Sequence, residues 1–203
     1  MPPYSLLHLR RKKPMNTPAH LLLAAGVFAK PDSPKITSAA IIGGLIPDVS
    51  LYVMATFSLF VLGNTPDYVF NVQYFSDNWQ QVFAVDNSFI LWGILSALAL
   101  WIRKDWLIVL SCSALLHLCF DFPLHHNDAR MHFWPLSDWV YHSPFSYWDI
   151  AYHGSTISTL EQSLVIGLLV LLWRQFKSIK MRIFYSILAT LNIAPHIIFG
   201  LMH

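Results

Sequence analysis

The sequence predicts an all-α protein: a polytopic membrane helical bundle of about six helices, five or six of them spanning. Three observations lead there. The chain of 203 residues is 55% hydrophobic and only 12% charged, with a mean hydropathy of +0.48, whereas an ordinary soluble domain is about a quarter charged. Its apolar residues fall into blocks, several near the roughly 20 residues that cross a bilayer. Its basic residues collect in alternate loops, so that all can face the cytoplasm together. One domain is expected at this length, with no linker, low-complexity segment or repeat. It would comprise a basic N-terminal extension at 1–14 and a single membrane helical domain at 15–203.

The first helix is expected near 17–30, is short, and carries His20. Ahead of it stand Arg10, Arg11, Lys12 and Lys13, which would lie outside if this helix crosses. Either Met15 is the native start, or the helix does not cross and the N-terminus stays inside. The segment 1–14 has no apolar core of its own and is not a complete signal peptide. Lys30 and Lys35 lead into a second helix near 36–62, where Asp48 follows Pro47. An outward loop at 63–85 ends at Asp86, before a third helix near 88–102. Arg103 and Lys104 link it to a fourth helix near 106–122, which holds His117 and Asp121. Pro123 ends that helix and puts His125, His126 and Asp128 on the long outward loop 123–160. Glu161 opens a fifth helix at 161–174. Arg174, Lys177, Lys180 and Arg182 then precede a sixth at 183–202, which contains His196.

Charged groups inside a membrane are costly and mark a function or a buried pair. At about 1.5 Å per residue from each cytoplasmic helix end, Asp48 and His117 lie roughly 17–18 Å deep, Glu161 and His196 near 20 Å, and Asp86 and Asp121 near 24 Å. They form one layer in the outer half of the bilayer. The short link at 31–35 makes helices one and two an antiparallel pair, which sets His20 within a turn of Asp48. The link at 104 does the same for Asp86 and Asp121. His117 and Asp121, four residues apart, share a helical face. Imidazole and carboxylate ligands suit zinc, manganese or iron. The expected metal residues are therefore His20, Asp48, Asp86, His117 and Asp121. His125, His126 and Asp128 are the candidate catalytic groups, able to take a proton from water that the ion activates. Each has a plainer reading: a hydrogen-bonded imidazole, or a helix cap at Asp48 or Asp86.

Arg130 is the only Lys or Arg of the two outward loops. It suits an anionic group, a lipid headgroup or a surface pair with Asp128. The aromatics of 123–160, Phe133, Trp134, Trp139, Tyr141, Phe145, Tyr147 and Trp148, suit an interfacial belt or a lid. His132, His142 and His153 lie in the same loop with no ligand spacing. Cys112 and Cys119 are seven residues apart on one helix, about 10 Å along its axis, too far for a disulfide.

Read in order, TPAHLLLAAG, GGLIPDVS, a polar break before an apolar helix, LLHLCFDF and HFWPLS resemble the membrane-bound metal-dependent hydrolases of the family related to the bacterial YdjM protein. The resemblance covers about residues 16–150. That family carries T-x-x-H, P-D-x-D, H-R-x-x-T-H-S and H-x-x-x-D segments and a later W-P stretch. It is distantly grouped with zinc-dependent phospholipases C and P1-type nucleases, which are helical and cleave phosphoesters at a zinc cluster. His20, Asp48, His117, Asp121, Trp134 and Pro135 match. Ser50 stands where the second aspartate would be. Asn87-Ser88 meets the end of T-H-S without its histidine, and Asp86 is the nearest substitute. His125, His126 and Asp128 are additional, as in a divergent branch.

The resemblance implies a membrane-embedded hydrolase, holding a divalent ion, most simply zinc, and acting on a lipid or other amphiphilic phosphoester or ester. The membrane is expected to be the bacterial cytoplasmic (inner) membrane, with the site facing outward and membrane lipids as partners. A transporter or proton or metal relay, and a non-catalytic assembly protein, are the competing classes. The basic residues are dispersed and form no nucleic-acid face.

Overall fold

A computed structural model describes residues 17–201, with side chains through residue 194. The basic extension 1–14 and the side chain of His196 lie outside it. Eight α-helices make up the described chain: α1 Thr17–Phe28, α2 Pro34–Thr56, α3 Pro66–Asn71, α4 Asp77–Asp86, α5 Phe89–Trp101, α6 Asp105–Asp121, α7 Gly154–Gln175 and α8 Ile179–Leu201. No β-sheet occurs among the described residues.

All six expected helices are present. The stretch expected as a plain loop at 63–85 instead holds α3 and α4. Thr65 caps α3, its side chain accepting from Tyr68 N, and Pro66 occupies the first turn, where a missing N–H costs nothing. Between the two helices, Gln80 Nε2 donates to Tyr74 O at 2.6 Å. The two helices and the turn between them lay Val69, Phe83 and Tyr74 against Leu51 and Ala55 of α2. The fifth expected helix, α7, begins seven residues early at Gly154, so Glu161 lies two turns inside it. There it is buried and accepts from Asn192 Nδ2 of α8 at 2.8 Å.

Packing is tightest where side chains are smallest. A Cβ built on Gly43 of α2 would lie 2.1 Å from the Leu110 carbonyl oxygen of α6, and one on Gly44 would lie 2.9 Å from Ala24 Cβ of α1. Small residues of this kind let membrane helices approach closely. Leu21, Leu22 and Ala25 of α1 join Val165, Leu168 and Leu172 of α7 and Tyr185 and Leu188 of α8 in the main apolar core. The α1–α2 link is held by one hydroxyl: Thr37 Oγ1 donates to Lys30 O at 2.8 Å and accepts from Lys30 N at 3.1 Å.

The outer surface is greasy. Phe60 and Trp101 are each 81% exposed, joined by Val53, Ile94, Leu160 and Ile166. So many large apolar side chains left bare suit contact with lipid. Three stretches are long and apolar enough to cross a bilayer, Pro34–Val61, Asp77–Trp101 and Gly154–Gln175, and in the last only 17% of the apolar window is buried in protein. These are the properties of a membrane helix bundle. α1 has 12 residues and reaches about 18 Å.

Candidate metal centre

Four chain segments meet at one buried cluster. α1 brings His20, α2 brings Asp48, α6 brings His117 and Asp121, and the segment after α6 brings His125 and Asp128; none is more than 9% exposed. His20 Nε2 lies 3.0 Å from Asp121 Oδ1, and His117 Nε2 lies 3.1 Å from Asp121 Oδ2 and 3.8 Å from Asp48 Oδ2. The two imidazoles stack with centroids 3.8 Å apart and 11° between planes. Ligand atoms of His20, His117 and Asp121 all fall within 4.8 Å of one another. Donors about 2.0–2.1 Å from a tetrahedral zinc ion would be roughly 3.3 Å apart, close to the 3.0 and 3.1 Å that separate Asp121 from His20 and His117.

The surroundings orient these donors. His117 Nδ1 makes a 2.7 Å hydrogen bond to the Gly44 carbonyl, which requires the proton on Nδ1 and leaves the Nε2 lone pair facing the cluster. Backbone carbonyls fix metal-binding histidines in this way. Pro47, inside α2, has no N–H for the Gly43 carbonyl, and the carbonyl one residue further on is the one His117 takes. Asp48 sits inside the continuous α2 and caps no helix. Thr17 Oγ1 donates to its Oδ2, Tyr52 OH donates to Thr17 Oγ1 at 2.8 Å, and Asp48 Oδ1 is buried with no hydrogen bond. A carboxylate oxygen buried without a donor is costly, and a cation would relieve that cost.

His125 lies over the cluster. Its Nδ1 contacts Asp128 Oδ2 at 2.9 Å and its Nε2 lies 3.4 Å from Asp121 Oδ1. Burial opposes a charge on His125, but Asp128 and Asp121 outweigh it and hold the imidazole protonated well above its ordinary range. Burial likewise opposes ionised Asp128, and His125 overcomes it, keeping that carboxyl below its usual value. Tyr147 and Trp148 set ring edges against His125, with centroids 5.5 and 5.1 Å away, and Tyr147 also meets His20 at 6.3 Å. This part of the aromatic loop packs against the cluster. Trp139 and Phe145, 53% and 43% exposed, suit the belt.

Two expected site residues are turned elsewhere. Asp86 ends α4, and its carboxylate accepts from Ser50 N at 3.3 Å and Asn87 Nδ2 at 3.0 Å. It steadies the α2–α4 contact, while the N-cap of α5 is Ser88, which accepts from Leu91 N at 3.1 Å. His126 follows His125 on the same turn and so points away. Its Nδ1 bonds Ser143 O at 2.6 Å and its ring stacks on Tyr152 at 3.5 Å. His132 and His142 bond Asn87 O and His126 O, and His153 caps α7 at φ 62°.

Arg130 is not on the surface. It is 3% exposed, with Nη2 donating to Tyr74 OH at 3.3 Å and the guanidinium 4.7 Å from the Phe83 ring centre. Burial opposes its charge, but Tyr74, Asp48 and Asp121 outweigh it and keep it protonated. Thr17 and the Gly44 carbonyl are functional groups that residue type did not flag. Thr17 was legible only as the residue three before His20, on the same face.

Fold and centre thus define a membrane helix bundle with a buried His/Asp cluster able to hold a metal ion. Comparison with protein-family models, with characterised proteins and with solved structures gives no match.

Proposed function

We propose that this chain is a membrane-embedded metal-dependent hydrolase, a divergent relative of the YdjM-related family, acting on a lipid or other amphiphilic phosphoester or ester. The observation that carries the reading is His117, whose Nδ1 is committed to Gly44 O while its Nε2 faces Asp121 and Asp48 and its ring stacks on His20. His20, His117 and Asp121 would hold the ion, zinc by donor type, and leave its fourth position open to water. A bound divalent ion supplies a nucleophilic water at neutral pH and polarises the scissile bond. Asp48 Oδ1, buried without a hydrogen bond, would take the proton of that water. His125, oriented by Asp128, is the group placed to hand a proton to the leaving oxygen. Tyr147 and Trp148 keep bulk water off the centre.

The alternating basic loops support a bacterial cytoplasmic membrane with the centre toward the outer face, within reach of a lipid headgroup. A second reading, a proton or metal relay, is favoured by one observation: polar groups line up from Asp128 through His125, Asp121, His117, Asp48 and Thr17 to Tyr52, with a 3.8 Å step from His117 to Asp48. The experiment incubates metal-loaded protein with mixed membrane lipids and follows new products by mass spectrometry, with Asp48→Asn as control. New products from the wild type alone support hydrolysis. Identical products from both, or none across a broad lipid set, reject it, and metal-dependent ion flux into proteoliposomes would then favour the relay.

A further inference from the structure

The α7–α8 corner lies away from the metal centre and is built differently. From Gln162 to His203 there is no acidic residue, while Arg174, Lys177, Lys180 and Arg182 fall within a few positions of each other. Two surface grooves meet there, of about 310 and 400 Å³, and Trp173 and Arg182 belong to both. Arg182 fixes the ridge between them. Its Nε donates to Phe176 O at 2.8 Å, its Nη2 to Trp173 O at 3.0 Å, and its guanidinium lies 5.4 Å from the Trp173 ring centre. Trp173 Nε1 in turn donates to Ser186 Oγ at 3.1 Å.

One groove is apolar, along Ile179, Ile183, Ile187 and Leu191. The other runs along Leu169 and Val170 and opens at Arg174 and Lys177, both exposed. α7 is one of the stretches able to cross a bilayer, so its basic end stands at headgroup level, where tryptophan and basic side chains gather.

We infer that this corner is a binding site for one anionic phospholipid, its acyl chains lying in the two grooves on either side of Trp173 and its phosphate held by Arg174 and Lys177. Charge complementarity selects the occupant. A second copy of the chain would bring the same uncompensated positive charge to a two-fold contact. A soluble acidic partner would leave the membrane-level grooves uncovered. An anionic lipid satisfies both the grooves and the charge, and each basic group near the surface contributes measurably to holding it.

The test uses the full chain in mild detergent, with retained lipid counted by native mass spectrometry during titration with phosphatidylglycerol or phosphatidylcholine. The wild type should retain one phosphatidylglycerol with a preference of about tenfold or more. Arg174→Gln/Lys177→Gln should reduce the preference to about twofold or less, with unchanged elution and melting, because both side chains are exposed. Lys30→Gln/Lys35→Gln, which removes an equal charge from the α1–α2 link, should leave it intact. Trp173→Leu should weaken retention of the lipid, and soluble glycerol phosphate should not compete. No preference in the wild type overturns the inference. So do a preference that survives the Arg174/Lys177 change, equal loss in both double variants, and effective competition by glycerol phosphate, which would reveal an anion site without lipid character.

Discussion

Gly43→Ala is the sharpest single perturbation of the candidate metal centre, although residue 43 contributes no side chain to it. A Cβ there would meet the Leu110 carbonyl oxygen at 2.1 Å and Ser113 Cβ at 2.8 Å. The nearer obstacle is backbone in mid-helix and cannot rotate away, so α2 and α6 must separate by about 1 Å, an overpacking strain of roughly 1–3 kcal/mol. The same displacement stretches the 2.7 Å bond between His117 Nδ1 and Gly44 O past hydrogen-bonding range and carries Asp48 away from His117. Losing the partner that orients a metal-binding histidine typically costs about 10–100-fold in affinity. The assay is zinc competition against a chromophoric chelator, with thermal unfolding in the same detergent. Gly93→Ala and Gly167→Ala, where a Cβ meets nothing within 4 Å, are the controls and should be neutral or slightly stabilising. Gly44→Ala, facing Ala24 Cβ at 2.9 Å and His20 O at 3.2 Å, should weaken binding through α1. Wild-type zinc affinity and melting in Gly43→Ala would refute the idea that close α2–α6 contact assembles the site.

His117→Ala and Asp121→Ala should each remove most bound metal with the helical fold kept, measured by elemental analysis and circular dichroism; full occupancy in the double variant rejects the centre. Thr17→Val should weaken metal binding about 10–100-fold by leaving Asp48 without its donor, with Thr17→Ser restoring it in chelator competition. His132 is buried and bonded to Asn87 O, and burial lowers its pKa from 6.5 to about 4. The unfolded chain therefore binds the extra proton first, so stability present above pH 6.5 is lost as pH falls toward 4, by at most about 3 kcal/mol. His132→Gln should flatten that part of the unfolding profile, and an unchanged slope would remove His132 as its source. With Cys112 and Cys119 replaced by serine, single cysteines at the exposed positions of Asn78 and Asp138 should be labelled from the same side of the membrane; opposite sides would break the proposed topology.

The helical register of the centre was legible in the sequence because it depends on local spacing. His117 and Asp121 share a face by the period of the helix, and the short link after α1 set His20 within a turn of Asp48. What escaped was set by contacts distant in the chain. Arg130 is buried because Phe83 and Tyr74, some fifty residues earlier, supply its aromatic walls. Asp86 turns to Ser50 N because α4 exists, and α4 was missed since DNWQQVFAVD has too few apolar residues to stand out beside the membrane blocks. His125 and His126 are chemically identical neighbours, and only the turn between Asp121 and Asp128 decides which one faces the cluster. The plainer capping reading of Asp48 failed because α2 runs through Pro47 instead of restarting after it.

The hydroxyl of Thr37, clasping both the N–H and the carbonyl of Lys30, bears on how the protein is made. The 12 described residues of α1 reach about 18 Å, short of a hydrocarbon layer of roughly 30 Å, and they include the polar His20. Joined by this clasp to α2, it can be carried in as the second arm of a hairpin. On that view α2 is the part of the chain the insertion machinery reads, and α1 follows as cargo. A change at Thr37 would then show itself during biogenesis, as chains delivered to the membrane without His20 in place.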